Sequence, residues 1–114
     1  MKTEEGFLMY YTAVDTLGYG VVAVAASRDL FTWQDQGIAY RFAGVNHCES
    51  SNCQLVDGKY YLFFGGHHEY WSYVISDNPL RWPEQEPQRL ILNVTAMEVI
   101  ARQDKTWLIS LFQE

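Results

Sequence analysis

An all-β fold is what this sequence predicts, and three observations predict it. The chain repeats itself, it carries a strong hairpin signal, and it lacks any sustained helical periodicity. Ser27-Arg28-Asp29-Leu30-Phe31-Thr32-Trp33 recurs forty-nine residues later as Ser76-Asp77-Asn78-Pro79-Leu80-Arg81-Trp82, with serine and tryptophan six positions apart in both copies. Phe7-Leu8-Met9-Tyr10-Tyr11 is matched at a similar period by Tyr60-Tyr61-Leu62-Phe63-Phe64, and Thr106-Trp107-Leu108-Ile109-Ser110 echoes both. Strand repeats of roughly 40–50 residues point to propeller-type, four-stranded antiparallel blades. The shared turn predicts Trp33 and Trp82 in equivalent places on successive units.

The elements follow in order. Phe7 to Thr12 is an apolar, aromatic strand, turned by Gly18 to Gly20 into Val21 to Ala26. The small and β-branched residues of that second run suit a strand covered on both faces. Asp29 to Trp33 is a turn and Gly37 to Phe42 an outer strand, before a polar loop from Gly44 to Ser51. Asn52 to Val56 opens a second, complete unit. Its Asp57-Gly58 is a strong hairpin signal, because both positions tolerate positive φ. Tyr60 to Phe64, Tyr70 to Ser76 and Arg89 to Leu92 complete it. Pro79, Pro83 and Pro87 crowd the last connection, where no inter-strand hydrogen bond is needed. Met97 to Ala101 and Thr106 to Phe112 begin a third unit. Ala13 to Gly20 and Asn93 to Glu98 are too short or too broken by turn formers to be helices. The expectation is one domain of nine strands in units at about 7–42, 52–92 and 97–112, a little over two blades and an incomplete ring.

Composition narrows the function classes. The 114 residues are 48 % hydrophobic, enough for one modest core. Fourteen acidic against eight basic residues leave a formal charge of −6, and the cations form no stripe, which argues against nucleic acid. No run is long and apolar enough to span a bilayer, and the amino-terminal residues lack a signal peptide's apolar core, so no membrane partner and a cytoplasmic location are expected. Aromatic residues make up 16 %, and exposed rings of that kind suit the apolar faces of sugars.

The run Cys48-Glu49-Ser50-Ser51-Asn52-Cys53-Gln54-Leu55-Val56-Asp57-Gly58-Lys59-Tyr60-Tyr61-Leu62-Phe63-Phe64 resembles the acid-bearing blade of the five-bladed glycoside hydrolases of families 43 and 32. Those enzymes place a glutamate, as Glu-x-Pro, just ahead of an inner strand that leads to Asp-Gly and Lys-Tyr-Tyr-Leu. Val24 to Trp33 is similar to their blade signature Ala-x-Ser-x-Asp-Leu-x-x-Trp. The resemblance covers about Phe7 to Phe112. It implies Glu49 as the catalytic acid, the group that protonates a leaving glycosidic oxygen. Ser51 stands where the family has proline. The family's two further aspartates would lie upstream of Met1, so a single chain is expected to be catalytically incomplete.

Read without the resemblance, Glu49 is a loop glutamate that solvates the start of a strand. Asp15, Glu69 and Glu98 are the candidates for a second carboxylate, Asp15 within an Asx-type turn and Glu98 at the opening of the third unit's inner strand. His47 and His67 are placed as hydrogen-bonding partners of a sugar beside Glu49, with Trp71, Tyr70 and Tyr73 as a stacking surface and Glu98 as a further contact. The spacing of His47, Cys48, Cys53, His67 and His68 fits no zinc pattern, so no metal and no cofactor are expected. The favoured function is a carbohydrate-associated protein resembling a glycoside hydrolase propeller. One alternative is an active glycosidase whose site is completed by oligomerisation; another is a non-catalytic structural or protein-interaction module. Open strand edges at both ends predict a homodimer or a higher homo-oligomer.

Overall fold

A computed structural model describes residues 1–42, 48–66, 70–90, 96–104 and 106–112. These residues form ten strands and no helix: β1 (Lys2–Thr3), β2 (Gly6–Val14), β3 (Gly20–Ser27), β4 (Gln34–Tyr40), β5 (Glu49–Val56), β6 (Lys59–Gly66), β7 (Tyr70–Ser76), β8 (Gln88–Leu90), β9 (Ala96–Ala101) and β10 (Trp107–Phe112). They make three antiparallel sheets in chain order, β1-β2-β3-β4, β5-β6-β7-β8 and β9-β10. Nine strands were expected; the additional one is β1. Lys2 pairs with Phe7 and Thr3 with Gly6, a segment too short to show any alternation in sequence.

Local chemistry sets the turns. Asp57 and Gly58 both have positive φ, 49° and 77°, and close the hairpin between Val56 and Lys59. That is the left-handed pair a tight two-residue hairpin requires. The repeated segments form the same turn after β3 and after β7. Ser27 Oγ accepts from the amides of Asp29 (3.2 Å) and Leu30 (2.9 Å), and Ser76 Oγ accepts from that of Asn78 (3.0 Å). One step on, Asp29 Oδ1 accepts the Phe31 and Thr32 amides, and Asn78 Oδ1 accepts the Leu80 amide. The serine ends the strand and the Asx side chain replaces the next backbone acceptor.

The second sheet is buried on both faces. Leu62, Phe64 and Val74, with Trp82 from the turn after β7, pack against Leu8, Val22, Val24, Ala39 and Tyr40 of the first sheet. Phe63 and Trp71, flanked by Tyr61 and Tyr73, pack against Met97 and Val99 of the third. Alternate residues of β6 therefore enter two different cores, which is why Tyr60 to Phe64 reads as an unbroken apolar run. Two long-range hydrogen bonds and two ring contacts pin the first seam. Tyr40 donates to the Gln85 carbonyl (2.8 Å) and its ring lies 5.2 Å from Phe64; Tyr10 donates to the Pro79 carbonyl (2.9 Å) and meets Trp82 edge-on at 5.7 Å.

Trp33 and Trp82 occupy the same position in their turns but differ in cover. Trp82 is 5 % exposed against the first sheet, whereas Trp33 is only partly buried and donates locally to the Leu30 carbonyl (3.0 Å). Among the described residues the first sheet covers Trp82, and none of the three sheets is seen to take the corresponding place over Trp33.

Candidate functional site

Glu49 is the first residue of β5 and is exposed. It pairs with Gly65, but the next pair is Asn52 with Phe63, so Ser50 and Ser51 form a bulge. Ser50 sits at φ 51°, in the left-handed region, and Ser51 Oγ is buried with no hydrogen-bond partner among the described residues. A bulge bends its strand and re-aims the neighbouring side chains. Here it lies immediately beside the glutamate that the sequence singled out. The head of β5 is tethered to the first sheet by Thr12 Oγ1, which donates to the Cys48 carbonyl at 2.8 Å.

Beyond the bulge a short polar chain joins β5 to β9. Gln54 Nε2 donates to Asn52 Oδ1 (3.0 Å), Asn52 Nδ2 donates to Glu98 Oε2 (3.4 Å), and the Ala101 amide donates to Gln54 Oε1 (3.1 Å). Glu98 is exposed on β9. The structure thus places Glu49 and Glu98 on the opening strands of adjacent sheets, with the Asn52 side chain of β5 reaching Glu98 of β9. Sequence reasoning missed Asn52 and Gln54. Their signal was present as two amides at alternate positions of one strand, which places both on one face.

Trp71 is 2 % exposed, pairs with Gly65 and belongs to the core between the second and third sheets. A methyl at Gly65 would stand 3.4 Å from Trp71 Cζ2 and 3.6 Å from the Glu49 carbonyl oxygen. These are ordinary contact distances, so the indole lies close along the strand, and the buried ring offers a ligand no open face. Tyr73 packs between Tyr61 and Phe63, with ring separations of 6.1 and 5.7 Å. His47, His67 and Glu69 lie outside the described residues.

Asp15 fixes its own turn through one carboxylate oxygen. Its Oδ1 accepts from the amides of Leu17 (2.8 Å) and Tyr19 (2.9 Å), and Arg41 Nε approaches Oδ2 at 3.0 Å while the guanidinium lies over the Tyr19 ring. The Tyr19 amide foremost, then the Leu17 amide and Arg41, hold its carboxyl below the usual carboxylate range against the opposing effect of burial. It is a turn-fixing anion. Burial pushes the Cys48 thiol up to about 12 and Cys53 to about 11, so both are unreactive core residues at neutral pH. Among the described residues no three His, Cys, Asp or Glu side chains gather as a metal site.

A cleft of about 1010 Å³ opens elsewhere. Gly6, Ser27, Gln34, Leu55, Tyr60 and Leu80 line it, around the Asp57-Gly58 end of the β5–β6 hairpin. Leu55 is six residues along β5 from Glu49, roughly 18 Å by strand rise. The cleft and the carboxylates therefore belong to opposite ends of the second sheet.

No family model, curated protein or solved structure matches this chain.

Proposed function

We propose that this protein is carbohydrate-associated, built on the plan of a glycoside hydrolase propeller, and that the head of β5 meets the sugar. One observation carries the reading: Glu49 is exposed at the start of the first strand of its sheet, beside a bulge, with Asn52 and Glu98 linked across to the neighbouring sheet. Carboxylates and a carboxamide together accept and donate to vicinal hydroxyl groups, the chemistry by which sugars are held. A single chain acts as a binder in this reading. Hydrolysis needs a second carboxylate set across the glycosidic bond; in this reading Asp15 is committed to its turn and Glu98, accepting from Asn52, serves as a binding group.

A second reading, a non-catalytic interaction module, is favoured by the burial of Trp71, which removes the expected stacking surface. One experiment separates the two. Calorimetric titration with a panel of neutral hexose and pentose oligosaccharides should find a ligand for the wild-type chain. Glu49→Gln should weaken that ligand by about 10-fold, the scale of one charged hydrogen bond, with an unchanged melting temperature. Absence of binding across the panel, or binding indifferent to Glu49→Gln, favours the interaction module.

A further inference from the structure

We propose that the outer face of the first sheet is an interface between two copies of this chain, covered by the outer face of the second copy's third sheet. The proposal rests on the internal repeat and does not require that the chain binds sugar. Ala25 lies forty-nine residues before Val74, and their partners are Met9 and Leu62. Ala23 and Ser72 are related in the same way, with partners Tyr11 and Phe64. Met9 and Tyr11 thus hold in the first sheet the places that Leu62 and Phe64 hold in the second.

The two faces have different fates. Leu62 and Phe64 are wholly buried by the first sheet, whereas Met9 is 42 % exposed, Tyr11 is partly exposed, and Ile38, opposite Ala23, is 40 % exposed. Of the charges on this face, Asp35 already accepts from the Tyr11 hydroxyl at 3.1 Å, and Lys2, paired with Phe7, stands exposed at its edge. An apolar sheet face of this kind is suited to another sheet, and the chain itself shows which kind. Each seam is formed by the forward face of one sheet meeting the backward face of the next.

Among the described residues the third sheet's forward face is open. Met97 and Val99 point back to the second sheet, so Glu98 and Ile100 alternate onto the opposite side, Ile100 at 54 % exposed and Glu98 already accepting from Asn52. Joining that face to the first sheet of a second copy continues the stacking already present within the chain. In a two-fold pair the same contact forms twice and closes on itself, whereas an unclosed arrangement would grow into a filament. Two copies of three sheets make six, within the range of four to eight that radially stacked sheets adopt on closure.

Sedimentation equilibrium of the full chain at micromolar concentration tests the proposal. The expected mass is twice 13.2 kDa. Met9→Glu and Ile100→Glu, each at an exposed position, should keep the wild-type circular dichroism. Each buries a carboxylate in an apolar contact and should raise the dissociation constant by on the order of 100-fold. As an independent measurement, chains carrying Met9→Cys are mixed with chains carrying Ile100→Cys under mild oxidation. A disulfide between the two kinds of chain supports the assignment, and the buried Cys48 and Cys53 do not compete. A monomeric wild type overturns the proposal. So does a dimer untouched by both glutamates, or cross-linking confined to Met9→Cys chains among themselves.

Discussion

Leu62→Ala gives the sharpest test of how the sheets stack. Leu62 is wholly buried between the first and second sheets, paired with Cys53 on one side and Val74 on the other. Both neighbouring strands are fixed by continuous pairing, and Tyr40, Phe64 and Val24 belong to the same core. The surroundings have little freedom to collapse into the space left behind. Truncating a buried leucine costs about 2–5 kcal/mol, and a site with little room to relax should lose at least the middle of that range, about 3–4 kcal/mol. For a chain of this size that corresponds to a fall in melting temperature of about 12–16 °C. Leu55→Ala is the control. Leu55 is on the same hairpin but 53 % exposed, so its truncation should cost under about 1 kcal/mol and only a few degrees. Thermal unfolding of the two variants, followed by far-ultraviolet circular dichroism, reads the difference. Equal and small shifts would refute the packing of the second sheet on the first.

Three further expectations concern individual groups. Gly6 has φ 143°, and a methyl there would collide with the Ser27 carbonyl oxygen, so Gly6→Ala should lose roughly 2–4 kcal/mol in a denaturant melt. Cys48 and Cys53 should resist an aromatic disulfide reagent in the native chain and react once it is unfolded. Burial raises both thiols, and the Tyr10 and Tyr40 hydroxyls with them, so the unfolded chain gives up these protons first. Stability should therefore be full below the ordinary thiol value of about 9 and fall as pH rises through about 11 and 12; a flat alkaline limb would contradict it. Asp15 has the opposite sign. Its lowered carboxyl contributes at neutral pH and loses that contribution as pH falls below the ordinary carboxylate range, so Asp15→Asn should flatten the acid limb of an unfolding series.

The turns and most strands were legible because they depend on neighbours in sequence. Asp57-Gly58 closes its hairpin through two residues that accept positive φ, and the repeated serine turns form through bonds spanning two or three positions. Glu49 reads locally as a loop residue ahead of a strand opening at Asn52; the structure makes it the first residue of β5, separated from Asn52 by a bulge that local pattern does not reveal. The strand β1 was not legible, because two residues carry no period. The Asn52–Glu98 link was not either: its partners are forty-six residues apart, and strand alternation alone does not say which strand comes alongside.

The sequence by itself determined the all-β class, the order of the antiparallel strands and the repeated turn, all consequences of side-chain alternation and short-range hydrogen bonding. Only the tertiary structure decided which face of each sheet is covered. Trp33 and Trp82 end the same turn, yet one is partly open and the other lies in a core; Trp71 reads as a possible sugar platform and is buried against Gly65. Burial depends on what stacks across a face, and that surface comes from residues far away in the chain. A strand's own residues specify that it has two faces; the arrival of a second sheet specifies which of them is inside.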